Sequence, residues 1–566
     1  MNGSHRARMW GTGLLVVWLC GGLAAGLAQQ PGAANRTASQ QPSRDDENLP
    51  RPRRQPRIDR KKEEQLNREI EVSLPQLPPT ILPAEANAID LGCVLRLAGV
   101  QNPEILIARA SVAEALALRQ LAIAMALPNL NAGVNYDAHT GPLQQSSGNI
   151  LTVNRNALYL GAGAGAVAAG TVPIPGIQYV ANFSEGIFGF LAVRQTVRVR
   201  EATNLAVRNQ ILLRVAEAYM ELVRAQGRRV VGLRNVDDAH EIARLNAVYA
   251  ATGEGKQSDA DRTAAELARR INYVVSVEGE MITASARLAA LLNIPPSEQL
   301  NVVDAWVVPT PVVPDTAPLH ELLVIAINQR PELAARRAAI REALALLRMQ
   351  QFLPLSPTML AGYSAGTFGG GSNLVATPGG FQGFAESRFG SFGPRDDIDV
   401  VLFWTAQNMG LGNLAKIRVR RVGQQIAELE FIRELNRVRD EVATAFAQIH
   451  ARYAQIGIAR RGVEAGKNSF TEDLTRIRGG QGLPIELLDS FRLLADGRLA
   501  YLDAVTDYDK AQFALYVALG QPPPKDLAHS IPSDLVPPPP PGKPLPACVP
   551  PGGSNGQPCN PCKATP

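Results

Sequence analysis

Leu130-Asn131-Ala132-Gly133-Val134-Asn135-Tyr136-Asp137 alternates without a slip: Leu130, Ala132, Val134 and Tyr136 fall on one side of an extended chain, Asn131, Gly133, Asn135 and Asp137 on the other. Side chains along a strand point to opposite faces with a period of two, so the stretch predicts a strand with one apolar and one polar face. It follows Leu127-Pro128, which stops the Ala-rich, helix-like segment from Asp90 to about Ala126, with Pro103 at a break or first turn. Three further stretches are two-faced in the same way. Ile177, Tyr179, Ala181 and Phe183 alternate with Gln178, Asn182 and Ser184; Met359, Ala361, Tyr363 and Ala365 share one side of 358–368; Ile398, Val400, Leu402 and Trp404 share one side of 397–404. The Gly/Ser/Asn/Pro-rich stretch that runs up to Gly176, including the Gly/Ala-rich 157–172, reads as a loop, as does the Gly-rich stretch before Asp397.

The landmarks recur in order. Asn102-Pro103-Glu104-Ile105 returns as Arg330-Pro331-Glu332-Leu333, Leu127-Pro128 as Leu353-Pro354, Tyr136 as Tyr363, and Val215-Ala216-Glu217-Ala218-Tyr219 as Val442-Ala443-Thr444-Ala445-Phe446, at offsets of 226 to 228 residues. So many landmarks in register imply two tandem copies of one large unit. After its two strands, each unit continues into a very long helix (about 192–250, and 414–477), a Gly break (Thr252-Gly253-Glu254-Gly255, and Gly479-Gly480-Gln481-Gly482) and a return helix (259–292, and 484–519). At 1.5 Å per residue, the first long helix reaches about 85 Å. Leu212, Val215, Tyr219 and Leu222, and likewise Leu435, Val438, Val442, Phe446, Ile449, Tyr453 and Ile456, step by three and four, the spacing of a coiled-coil seam.

The boundaries follow: a signal peptide over 1–28, with Arg6 and Arg8 before the apolar run 11–23 and a small-residue exit; a basic, polar, disordered tether over 29–85; repeat 1 over 86–294; a Pro-rich connector over 295–318; repeat 2 over 319–524; and a Pro-rich disordered tail over 525–566 with Cys548, Cys559 and Cys562. Bulky Val17-Trp18-Leu19 before Cys20 favours simple cleavage over lipidation. A chain that is 46% hydrophobic but only 5% aromatic, rich in Ala, Leu, Arg and Glu, suits long helices, and its net charge of +5 is mild. Beyond the signal, no stretch offers the roughly 20 apolar residues of a membrane-spanning helix.

The expected fold is therefore mixed α and β, mainly α: two tandem repeats of long antiparallel coiled-coil helices, plus four two-faced strands of membrane-crossing length. Four strands cannot close a barrel, since the smallest spanning barrels have about eight, and an open edge in lipid leaves backbone groups unsatisfied. Several copies must share one barrel. A periplasmic coiled-coil scaffold or adaptor without a pore is the alternative, but it has no use for lipid-facing stripes. Val134, Tyr136, Tyr179, Tyr363, Ile398, Val400, Leu402 and Trp404 are the candidate lipid-facing residues.

The export signal, the doubled helix-strand-strand-helix plan, the Asn102-Pro103-Glu104 and Arg330-Pro331-Glu332 helix starts, the Leu-Pro stops and the Gly-x5-[Asp/Glu] after each long hairpin together resemble TolC-type outer-membrane efflux proteins over residues 86–524. The resemblance implies a homotrimer with a shared twelve-strand barrel in outer-membrane lipid and a helical tunnel through the periplasm. It also implies a periplasmic adaptor (membrane fusion) protein and an inner-membrane transporter as partners, with the chain a passive export duct for small molecules or proteins. The family narrows its periplasmic entrance with acids in an Asp-x-x-Asp setting just after the second hairpin turn. Here the setting reads Glu486-Leu487-Leu488-Asp489, with Asp259 as the first-repeat counterpart of Glu486 and Arg262 standing opposite Asp489, so the three acids are the candidate gate. The competing reading is helix capping, with Pro484 in a first turn and Ser258 as a cap followed by Asp261.

Nothing points to an enzyme or a cofactor. The six His are scattered without carboxylates at ligand spacing; Gly253-Glu-Gly-Lys-Gln-Ser258 lacks the preceding strand and the residue pattern of a phosphate loop; and the Arg-rich helices lack the aromatic interleaving of a nucleic-acid surface. Cys93 is expected to be buried and inert.

Overall fold

The computed structural model describes residues 60–523 except 84, 167–169, 304–306, 315–316, 373, 378–379 and 385–389. The signal peptide, Cys20 and the tail with Cys548, Cys559 and Cys562 lie outside them. The first element is α1 (Arg60–Ser73). Its Leu66 and Ile70, with Leu74 just past its end, recur every four residues and make an apolar stripe on a charged helix. Ile70 and Leu74 are buried in a cluster with Val236, Ala243 and Ile271. This corrects the disordered reading of 29–85 over residues 60–73 alone, where enough apolar surface at helical spacing is present to fold, while 29–59 lie outside the described residues. Next, β1 (Asn87–Ile89) pairs in parallel with a short strand at Leu300–Val302.

Proline decides the next boundaries, because it fits a first helical turn but breaks an interior. Thus α2 (Leu91–Gln101) ends before α3 (Pro103–Ala124). Asn102 caps α3, its Oδ1 accepting from the Glu104 N–H at 2.9 Å while its Nδ2 donates to the Leu291 carbonyl at 2.8 Å. After Leu127-Pro128 come β2 (Asn129–Leu130), β3 (Ala132–Gln144), β4 (Ile150–Ala164), β5 (Ile174–Pro175) and β6 (Ile177–Asn182). A single π-helical turn leads into α4 (Phe190–Ala251), which folds back as α5 (Gln257–Leu292). The connector expected over 295–318 contains β7 (Leu300–Val302), the partner of β1.

The second half opens with two helices, α6 (Leu319–Gln329) and α7 (Pro331–Phe352), because Arg330-Pro331 breaks the chain as Asn102-Pro103 does. The Arg330 Nε donates to the Ala518 carbonyl at 2.8 Å, 227 residues on from the carbonyl that Asn102 holds. Then follow β8 (Thr358–Ser372), β9 (Leu374–Thr377), β10 (Gly380–Phe384), β11 (Ser391–Phe403), α8 (Leu411–Arg478) and α9 (Pro484–Ala518). Left-handed Asn408, Met409 and Gly410 turn the chain from β11 into α8.

Most of the sheet is antiparallel, and its register gives the main correction to the sequence reading. β4 pairs with β8 from Arg155↔Ser372 to Ala162↔Ala365, and β6 pairs with β8 from Ile177↔Tyr363 to Asn182↔Thr358. Only Ser364 lies between the two runs, so β4 and β6 are one strand interrupted by an excursion. Residues 150–164, expected as loop, form the outer half of that strand. Small residues hid it: Gly161 reads as filler, yet a Cβ there would stand 2.5 Å from the Gly366 Cα of the neighbouring strand, a close backbone approach that only glycine permits. The wall is thus a four-strand meander in the order β2/β3, β4/β6, β8, β11, with β11 paired to β8 from Ser391↔Gly370 to Phe403↔Thr358.

The helices carry the core. Leu212, Val215, Tyr219 and Leu222 are buried together, as are Val438, Val442, Ile449 and Ile456 in the second half, while Tyr453 stays exposed. Cys93 is half-buried.

Candidate functional site

Residues directly opposite one another in a ladder share a face. Leu130, Ile177, Tyr363 and Ile398 are successive register partners across all four strands, and form one apolar row. Tyr179, Ala361 and Val400 form the next, then Ala181, Met359 and Leu402; further out Val134 pairs with Leu160, and Tyr136 with Leu158. This face is bare: Ile398 is 74% exposed, and Val134, Tyr136, Tyr363, Val400, Leu402 and Trp404 are exposed as well. Tyr179 is only half-buried rather than fully open. The opposite face holds Asn135, Asp137, Arg155, Arg395 and Asp397, with Arg155 to Asp137 at 3.9 Å and Arg395 to Asp397 at 2.9 Å. The alternation is less strict than expected at the helix-side end, where Val180, Leu360 and Val401 make an apolar row on the polar face.

The helices next to the sheet repeat its layout. α3 packs on α4, α4 on α7 and α7 on α8, so α3 and α8 flank the group as β3 and β11 flank the sheet. On the sheet-side half of α8, Val419, Val422, Ile426 and Leu429 step by three and four, the spacing of a seam, yet all four are exposed, Val419 at 68%.

At the far end of the hairpins, Gly253 and Gly480 adopt φ of +77° and +72°, the left-handed conformation that lets each long helix stop and turn. Asp259 and Glu486 follow in the first turns of α5 and α9. Neither helix is capped by a side chain: the caps are Lys256 and Leu483, so Ser258 does not cap, and Asp261 instead accepts from Gln257 at 3.0 Å. Each candidate gate acid faces its own guanidinium: Asp259 pairs with Arg262 at 3.2 Å, Glu486 with Arg476 at 3.8 Å and Asp489 with Arg492 at 3.9 Å. Glu486 and Asp489 remain open to solvent.

A buried hub sits one to two turns further along α5. The Glu266 side chain is 2% exposed; it accepts from Arg270 at 2.8 Å and from Arg492 of α9 at 2.9 Å, and Arg270 lies over the Phe491 ring. Burial pushes the Glu266 carboxyl up, but the Arg492 hydrogen bond and the Arg270 and Arg269 charges outweigh it and hold the carboxyl below its ordinary value. The sequence reading passed over this hub. Arg269 and Arg270, three and four residues after Glu266, were its one visible sign, and they look the same on any solvated helix. Among the described residues no cluster of three or more His, Cys, Asp or Glu is placed to hold a metal, and no helix is long and apolar enough to cross a membrane.

No family model matches the sequence, and no curated protein matches it. Solved structures do. The outer-membrane channel OprN aligns with a TM-score of 0.60 at 18% identity, over 78% of this chain and 98% of that one. The Neisseria gonorrhoeae MtrE outer membrane channel, in its open state, aligns with a TM-score of 0.56 at 18% identity, over 79% and 97%. The Vibrio cholerae outer membrane protein VceC aligns with a TM-score of 0.55 at 17% identity, over 76% and 96%. The fold is that of the TolC-type outer-membrane channels. Near-complete coverage of these chains means that the TolC-type architecture accounts for the helices and the sheet together.

Proposed function

We propose that the chain is one subunit of a homotrimeric outer-membrane duct, with a large periplasmic portion, through which an inner-membrane transporter and a periplasmic adaptor pass small molecules or proteins outward. It is a passive conduit, not an enzyme. One observation carries the reading: the four-strand wall has apolar rows on one face, a polar opposite face, and, among the described residues, a strand neighbour on only one side of β3 and of β11. In lipid an open ladder edge costs several kcal/mol for each unsatisfied backbone group, so the β11 edge of one copy must meet the β3 edge of the next. The α8 seam at Val419, Val422, Ile426 and Leu429 asks for the same neighbour, since an exposed heptad stripe gains stability only by packing on another helix. Three copies then give the twelve strands and helical tunnel that the TolC resemblance implies. A pore-free scaffold would leave both features without a purpose.

The test is membrane fractionation, crosslinking and planar-bilayer recording of the purified full-length protein. Trimers in the outer-membrane fraction that open discrete channels support the duct; a soluble monomer without conductance refutes it. Within this reading Asp259, Glu486 and Asp489 narrow the periplasmic mouth and attract cations. Replacing Glu486 and Asp489 with Ala should raise conductance and weaken block by divalent cations, and unchanged values for both would remove these residues from the gate.

A further inference from the structure

The excursion between β4 and β6 has no part in closing the wall, yet it is firmly built. Gly163 and Ala164 pair with Pro175 and Ile174, so its stem is a small hairpin. It leaves and re-enters between adjacent rungs. On the β8 side the Gly176 N–H donates to the buried Ser364 hydroxyl at 3.3 Å. On the other side Asn131 fills the gap: its N–H donates to the Gly176 carbonyl at 2.7 Å, its carbonyl accepts from the Gly163 N–H at 3.0 Å, and its Nδ2 donates to the Pro175 carbonyl at 2.7 Å.

Beyond its stem, the hairpin meets the sheet on the polar face. Asn135 Nδ2 donates to the Ala166 carbonyl at 3.0 Å, and an Arg395 Nη donates to the Gly170 carbonyl. Tyr159 is 0% exposed, buried in one cluster with Ala166 and Val172, with Phe368 packed against it. Asn135, Tyr159 and Phe368 are successive register partners, and Arg395 stands on their side of the sheet, its guanidinium 4.9 Å from the centre of the Phe368 ring. Glycines make the room: a Cβ at Gly133 would come 2.9 Å from the Ala164 Cβ, and one at Gly362 would come 2.5 Å from the Pro175 Cγ. A buried Tyr-Ala-Val cluster beside Asn135, Asp137, Arg155, Arg395 and Asp397 of the polar face is a packed layer, and packed β layers stand about 10 Å apart.

The geometry points to the described parts of this excursion, 163–166 and 170–176, as a liner inside the barrel: folded onto the lumenal wall and fastened by Asn131, Asn135 and Arg395, they narrow the outer part of the conduit and limit the size of the solute that passes. This rests on the trimeric duct reading, in which three liners face the common axis. Because each neighbouring strand offers one residue opposite the gap, Ser364 and Asn131, replacing 163–176 with a single Gly should give an uninterrupted strand in unchanged register.

The experiment compares single-channel conductance, and flux of neutral polymers of graded size, for the full-length chain and this shortened variant. The shortened channel should conduct about twofold or more and admit larger polymers, because bore and lining set what passes a pore. If the shortened trimer inserts and its conductance and size limit are unchanged, the liner is refuted. If it fails to assemble, Thr171→Cys decides: Thr171 is exposed on the excursion, so a bulky anionic thiol reagent should lower its current relative to the equally treated parent, whereas complete labelling, read by mass, with unaltered current refutes the liner. A parent chain that forms trimers but never conducts would overturn the duct itself, and the liner with it.

Discussion

Both halves of the chain run from two helices through paired strands into a long helix and a return helix, yet they differ where one position meets a different neighbour. The second-half strands, β8 and β11, pair without a break from Ser391↔Gly370 to Phe403↔Thr358, while the corresponding first-half strand opens at Gly163 and closes again at Gly176. At the helix starts, Asn102 and Arg330 reach carbonyls 227 residues apart, but Arg330 also pairs with Glu441. Near the hairpin turns, buried Glu266 of α5 corresponds to Leu493 of α9, which is 65% exposed. The first hairpin has α9 against it; the matching surface of the second has no such partner among the described residues. A duplicated backbone therefore does not carry duplicated side-chain roles, because each half has different surroundings.

The contrast can be broken most forcefully in the sheet. Tyr159→Ala empties a site covered on both sides and should cost about 3 kcal/mol or more, whereas Val400→Ala on the exposed apolar face of the unbroken hairpin should stay within about 1 kcal/mol. Urea unfolding of the protein folded into lipid vesicles would compare them, and equal losses would mean that the interruption is not packed. At the helix starts, Arg330→Ala should cost about 2 kcal/mol, since a buried charged donor and its partners are lost, and Asn102→Ala about 1 kcal/mol for a lost cap. Thermal melts of the two variants should rank in that order, and a reversal would show that the cap outweighs the ion pair.

A third contrast depends on pH. Asp509 of α9 accepts from the Thr310 N–H at 2.8 Å and fastens the connector, whereas Ile282 holds the equivalent place in the first half. Burial pushes the Asp509 carboxyl up to about 8, the Thr310 hydrogen bond opposing only in part. An acid whose folded value lies above its unfolded one keeps its proton longer in the folded state, so the contribution is fully favourable below about pH 4 and is lost as pH rises toward 8. Asp509→Asn keeps the acceptor without the charge. Its melting temperature should match the parent's near pH 4 and exceed it by a few degrees at pH 8.5; a gap that shrinks as pH rises would contradict this assignment.

Where local chemistry decides an element, the sequence was a good guide. Leu127-Pro128, Pro484, Gly253 and Gly480 punctuate the helices through steric rules that hold in any surroundings, and the strict alternation over 130–137 needs no partner to be seen. What stayed hidden depends on neighbours. Residues 150–164 looked like filler because Gly161 owes its place to Gly366 on another strand. Helix α1 was read as tether because its apolar stripe is thin without the groove that receives it. Ser258 looked like a cap, but the helix starts at Gln257, one residue ahead of it. Among the site residues, the exposed apolar rows came directly from alternation, while the hub at Glu266 needed the knowledge that α9 lies across it.

The excursion leaves the wall at one rung and rejoins at the next, with Ser364 on one flank and Asn131 on the other. A hairpin spliced in this way can lengthen, shorten or vanish without shifting any ladder bond, since lengthening a loop adds only a slowly growing entropic cost. On the proposed reading, the bore of the conduit and the integrity of its shell are then separately adjustable, so a lineage could retune what it exports by editing a dozen or so residues while every subunit still fits its neighbours.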